Sequence, residues 1–149
     1  GKPFTDADLK GRYALVYFGY TYCPDVCPID MARLGKALAA FEARDPIRAQ
    51  KIQPVFVTVD PARDTAAVVG TFVANFHPRF IGLTGTDAAI KAMLKAYRVV
   101  AQKEGDGPDY LMNHSTAAYL FDPNGKPVLL IGQDQDAAAI AADLDKWVA

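Results

Sequence analysis

The chain has 149 residues, 51 % of them hydrophobic and 22 % charged, which is enough apolar surface to close a full core without disulfide staples. Its 16 Lys and Arg against 17 Asp and Glu give a formal net charge of −1, so no basic nucleic-acid surface is expected. No apolar window approaches the run of about 18 residues that a membrane helix needs, and the first residues lack the apolar core of a signal peptide. Any anchor or export signal is therefore expected outside this sequence. In chain order, Thr5 or Asp6 is placed to cap one helical turn before Gly11. Tyr13 to Gly19 is apolar, aromatic and β-branched and reads as a buried strand. Met31, Leu34, Leu38 and Phe41 recur at helical spacing and predict a helix over about residues 26–43, broken at Asp45-Pro46. Ile52 to Val59 runs apolar more than it alternates, through Val55, Phe56, Val57 and Val59, and reads as a central strand covered on both faces. It ends in the loop Asp60-Pro61-Ala62-Arg63-Asp64-Thr65, where Asp64 reads as the cap of a helix running to Phe76. That helix carries a stripe of Val68, Val69, Phe72, Val73 and Phe76.

Phe80 to Leu83 reads as a short strand, and Asp87 to Tyr97 as a helix facing inward through Ile90, Leu94 and Tyr97. Val99 to Lys103 reads as a further strand. Residues 103–109 are polar and glycine-rich, and read as a mobile surface loop. Thr116 to Phe121, the turn Asp122 to Lys126, and Val128 to Ile131 predict a hairpin. Ala137 to Val148 closes the chain as a helix with Ile140, Leu144 and Trp147 inward. This order predicts one α/β domain over residues 1–149, a mixed central sheet flanked by helices and closed by a C-terminal hairpin and helix.

The two cysteines, Cys23 and Cys27, lie in Tyr20-Thr21-Tyr22-Cys23-Pro24-Asp25-Val26-Cys27-Pro28, where the first strand turns into the first helix. Four residues apart at a helix start, they share one face, and free N–H groups there favour thiolate, at least for the first cysteine. Pro24 suits a first turn, whereas Pro28 requires an irregular turn or a helix beginning after Val26. In a regular turn the Cβ atoms would lie roughly 5–6 Å apart, against about 3.8 Å in a relaxed disulfide, a gap that a metal between two sulfurs tolerates better. Two soft thiolates select Cu(I), and an added imidazole also satisfies Cu(II). A structural zinc site would need four ligands and so both His77 and His114. His77 stands at a helix end before Pro78 and reads as a dipole partner or a solvent-facing side chain, so it is not taken as a ligand. His114 stands before a strand, at a mouth position, and reads as a third ligand or a hydrogen-bonded loop residue. Asp60 reads equally as a turn-former before Pro61 and as a partner that orients the site. Tyr20 and Tyr22 are candidates to rim that site. A structural disulfide or two inert core thiols is the plain alternative for the cysteines.

Four blocks, residues 19–28 (GYTYCPDVCP), 57–65 (VTVDPARDT), 110–115 (YLMNHS) and 119–125 (YLFDPNG), make the chain resemble the Sco/SenC family of thioredoxin-fold copper proteins. The resemblance implies a thioredoxin-like fold, copper held by Cys23, Cys27 and His114, and Asp60 in a supporting role. It further implies a copper metallochaperone that loads the dinuclear copper site of cytochrome c oxidase subunit II. The same resemblance allows Cys23 and Cys27 to act as a redox-active disulfide, in a thiol–disulfide oxidoreductase that reduces the partner's copper-ligand cysteines. Other copper chaperones or thioredoxin-like reductases would be further partners. The implied location is the periplasmic face of a bacterial inner membrane, with the mitochondrial intermembrane space as the alternative. Family members usually begin with a β-hairpin, whose second half Gly1-Lys2-Pro3-Phe4 resembles, and carry an N-terminal membrane helix. The residue before the histidine is commonly Asp in the family and is Asn113 here. A peroxiredoxin-like reading fits less well, because Tyr20 stands where a threonine is wanted and no proline precedes it in the strand.

Overall fold

After a 3-10 turn over Asp6–Leu9, the elements run β1 (Tyr13–Gly19), α1 (Val26–Arg44), a one-turn α2 (Pro46–Ala49), β2 (Ile52–Thr58), α3 (Ala66–Ala74) and β3 (Ile81–Leu83). They continue with α4 (Asp87–Ala96), β4 (Ala101–Glu104), β5 (Leu111–His114), β6 (Ala118–Phe121), β7 (Pro127–Ile131) and α5 (Ala137–Trp147). The computed structural model describes residues 2–24, 26–115 and 118–149. Gly1, Asp25 and the expected start of β6 at Thr116 and Ala117 lie outside the described residues.

The main sheet has the order β3-β2-β1-β6-β7. β1 and β2 pair in parallel, as do β2 and β3, while β6 and β7 add antiparallel. Every residue of β1 is buried, as a central strand with helices on both faces requires. α1 packs against α5, and α3 against β3. Two βα units feeding parallel strands, followed by an antiparallel hairpin and a closing helix, make the thioredoxin-like arrangement.

Local chemistry sets the boundaries. Thr65, Thr86 and Asp136 accept hydrogen bonds from the Val68, Ala89 and Ala139 N–H groups and cap α3, α4 and α5. Asp45 caps α2, with Pro46 at its first position. Gly35 in α1 is required by packing, since a Cβ there would lie 2.3 Å from the Phe76 carbonyl oxygen.

The register positions the site. Gly19 of β1 pairs with Thr58 of β2, and the Val59 N–H donates to the Gly19 carbonyl at 2.8 Å. The loops that leave the two strands, one carrying the cysteines and the other Asp60 to Asp64, are therefore neighbours. β6 starts opposite Tyr17, near the same end of β1.

Several expectations change. The expected strand is present as β4 and the expected loop is the bend over residues 105–110, but Leu111–His114, not expected as a strand, forms β5 and pairs antiparallel with β4, with Ala101 facing His114. Residues 2–5 form no regular element and line a groove with α4, Tyr119 and Phe121. Trp147 is 43 % exposed, because Val148 takes the buried place at the end of α5. Ile140 and Leu144 are buried as expected, whereas Val68 is exposed and the α3 face narrows to Val69 and Val73.

Candidate metal centre

Cys23 precedes α1 and Cys27 lies in its first turn, where Pro28 removes no intrahelical hydrogen bond. Both thiols are free. The Cys27 N–H, one of the helix's unpartnered first-turn donors, points at the Cys23 Sγ at 3.4 Å. Cys23 is half-buried and Cys27 fully buried. Gly19 makes room for this, since a Cβ there would stand 3.0 Å from the Cys27 sulfur and 3.1 Å from Phe56. Burial pushes the Cys27 thiol up to about 12, and the adjacent Cys23 adds to it, against the opposing Tyr20 backbone and Tyr17 hydroxyl. For Cys27 desolvation thus outweighs the helix start, and the group stays protonated at neutral pH.

His114 ends β5 and turns its ring toward the cysteines. The Nδ1–H donates to its neighbour's carbonyl, Ser115 O, at 2.8 Å, which leaves the Nε2 lone pair facing Cys27 Sγ at 3.5 Å. Burial depresses the imidazole below its ordinary 6.5, so the ring is neutral and able to ligate at pH 7. One donor atom from each of Cys23, Cys27 and His114 lies within 4.8 Å of the others. Bonds of about 2.3 Å to sulfur and 2.0–2.1 Å to nitrogen place such donors roughly 3.6–4 Å apart, so one ion fits with small adjustments. Two thiols and an imidazole suit a soft, borderline transition ion, not a hard cation.

His77 does not join them. Its Nε2 lies 3.1 Å from Glu42 Oε2, and its Nδ1 accepts the Arg79 N–H at 3.1 Å, so both ring nitrogens are engaged. Among the described residues three donors remain, one short of a closed structural zinc site.

Asp60 is buried and touches neither sulfur directly. Its carboxylate pairs with Arg63 Nε at 2.6 Å and accepts the Tyr110 hydroxyl at 2.6 Å, while its own N–H donates to Thr58 Oγ. Asp60 thus sits at the turn and is joined through Tyr110 to the ribbon that carries His114.

Asp64 was expected to cap α3, but Thr65 does that. The Asp64 carboxylate has no solvent exposure and accepts from Thr21 N at 3.0 Å, Thr21 Oγ at 2.5 Å and Thr58 Oγ at 2.7 Å. It ties the cysteine loop to the end of β2.

Tyr20 is buried with its ring edge-on to His114 at 5.6 Å, whereas Tyr22 is exposed. Beneath the site, the Tyr17 hydroxyl donates to Asp30 at 2.7 Å, and Asp30 is paired with Arg33. The sequence reading passed over Arg63, Tyr110, Tyr17 and Asp30. The one local signal was the spacing of Asp60 and Arg63, an i, i+3 acid–base pair.

Fold and donor set together define a thioredoxin-like domain with a two-thiol, one-imidazole candidate site for a soft metal. The sequence model of the SCO1/SenC family matches residues 1–149, and the chain belongs to that family. It is 42 % identical over 139 residues to protein SCO2, mitochondrial, of Saccharomyces cerevisiae, a match covering 91 % of this chain and 45 % of that protein. The chain thus spans about half the length of this curated relative. The crystal structure of Arabidopsis thaliana ScoI with copper bound superposes with a TM-score of 0.91 at 36 % identity, covering 98 % of this chain and 89 % of that one. BsSco, described as a Sco-family cytochrome c oxidase assembly protein with a disulfide switch, superposes at 0.75 with 25 % identity, covering 98 % of this chain and 85 % of that one.

Proposed function

We propose that this protein carries one copper ion on Cys23, Cys27 and His114 and delivers it during cytochrome c oxidase assembly, to the dinuclear copper site of subunit II. The observation that carries the reading is the convergence of two thiols and a neutral imidazole, drawn from elements 87 residues apart, onto one point. A three-donor site suits transfer, because an incoming partner ligand can bind before any resident one leaves. The likeness to a copper-bound Sco structure supports copper as the cargo. Among the described residues no helix is long and apolar enough to cross a membrane. The location proposed is the outer side of the oxidase's membrane, periplasmic in a bacterium and the intermembrane space in a mitochondrion.

The test is copper titration of the reduced chain. Wild type should bind one equivalent, and Cys23→Ser with Cys27→Ser should abolish it. Stoichiometric retention by the double variant would overturn the reading.

A second reading, thiol–disulfide reductase, is favoured by the half-exposed Cys23 at a helix start beside the buried Cys27. The Cys23 thiolate attacks a partner disulfide and expels one partner thiolate. Cys27, losing its proton, then attacks the mixed disulfide and expels Cys23's partner sulfur as the second thiolate, leaving Cys23–Cys27 oxidised. Exchange with a disulfide peptide that survives His114→Ala unchanged would favour this reading over the carrier.

A further inference from the structure

Among the described residues the ribbon of β4 and β5 shares no ladder with the main sheet, so side chains must help hold His114 over the cysteines. One side chain touches every piece involved. The Arg63 guanidinium is anchored on Asp60 and is only 12 % exposed. Its centre lies 3.6 Å from the Tyr110 ring centroid on the ribbon, and 4.6 and 5.7 Å from those of Tyr22 and Tyr20 in the cysteine loop. Its Nη1 reaches the Pro108 carbonyl, in the bend of the ribbon, at 3.4 Å. Its buried Nη2 has no hydrogen-bonding partner among the described residues, so the ring faces are what surround it. Lys103 of β4 lies over the Tyr110 ring at 4.3 Å.

We propose that Arg63 and Tyr110 are positioning residues that clamp the ribbon to the cysteine loop, and so decide whether the site presents three ligands or two. The proposal rests on the copper-carrier reading. Its consequence is selectivity by oxidation state. Two thiolates alone still suit Cu(I), whereas Cu(II) is better satisfied with the imidazole added. With the clamp closed, both ions are held. With it loosened, the Cys23–Cys27 pair still binds Cu(I), and Cu(II) loses a ligand.

The experiment compares Arg63→Lys, which keeps the charge but not the planar stack, with Tyr110→Phe, which keeps the ring and removes only its bond to Asp60. Cu(I) and Cu(II) affinities are measured by chelator competition on the whole chain, with the thiolate-to-Cu(II) absorption as a spectroscopic readout. Supporting-residue changes around metal sites cost about 10–100-fold, so Cu(II) affinity should fall by at least about tenfold while Cu(I) stays within about threefold. Amide exchange at Leu111 to His114 should accelerate in both metal-free variants, with exchange in β1 unchanged. Equal losses for the two ions, or unchanged Cu(II) affinity and ribbon exchange, would overturn the clamp. Tyr110→Phe decides the matter should Arg63→Lys fail to fold. If wild type binds no copper, the carrier reading fails while the exchange comparison still decides the clamp.

Discussion

Replacing Asp64 tests whether the cysteine loop is held from β2. The carboxylate accepts three hydrogen bonds at 3.0, 2.5 and 2.7 Å in a place without solvent. A bond to a charged acceptor contributes about 1.5–3 kcal/mol, so three amount to roughly 5–9 kcal/mol. Burying a carboxylate costs several kcal/mol, which deleting it returns, and among the described residues no basic group pairs with Asp64 to offset that cost. The difference sets Asp64→Ala at about 2–4 kcal/mol destabilising, most of it the orphaned Thr21 and Thr58 donors. Asp64→Asn keeps the volume and one acceptor oxygen and should cost about 1–2 kcal/mol. Urea unfolding of the reduced, metal-free chain reads both numbers. A double-mutant cycle with Thr21→Val should give a coupling of at least about 1 kcal/mol. Because Thr21 lies two residues before Cys23, copper affinity should fall in parallel. An Asp64→Ala variant within about 0.5 kcal/mol of wild type, or a cycle with no coupling, would refute the brace.

Gly35→Ala sets helix propensity against packing: the added methyl gains about 1 kcal/mol in α1 but meets the Phe76 carbonyl at 2.3 Å, so a net loss of about 1–3 kcal/mol is expected. A raised melting temperature would contradict that close contact. The His114 imidazole has a folded-state value below 6.5, so between that value and 6.5 the unfolded chain binds more protons than the folded one. Stability of the metal-free chain therefore rises with pH through that window, and on acidification this contribution is lost across the window and levels off below it. His114→Gln should flatten this part of the pH profile of urea midpoints, and an unchanged slope would count against the buried ring. The Cys27 thiol, pushed up to about 12, is protonated at pH 7, so copper loading must release its proton. Calorimetry in buffers of differing ionisation enthalpy should detect that release, and none would exclude Cys27 as a ligand.

Much of the fold was legible because the sheet's central strands announce themselves. Tyr13–Gly19 and Ile52–Thr58 are buried on both faces but for the half-buried Gln53, so their residues are mostly apolar. The three donors were legible by type, since sulfur and imidazole chemistry is carried by few residues. The strand at Val99 to Lys103 was read, but β5 and its pairing with β4 were not, because both strands are mostly exposed and have no buried apolar face to mark them. Asp64 was misread because a helix cap and a loop brace make the same local demand, a short acidic side chain before a helix. Only the pairing of Gly19 with Thr58 brings Thr21 within its reach. Arg63 was invisible for a related reason: its rings come from positions 20, 22 and 110, and no window of sequence contains them all.

The separateness of the two-stranded sheet has a kinetic consequence. Its backbone ladder is closed on itself, so breaking its outer contacts leaves the five-stranded core intact. Such a sub-global opening needs only a fraction of the energy of melting the domain. An ion bound here would sit on the seam between the last region to unravel and a flap able to peel back alone, and its residence time would follow the peeling rate.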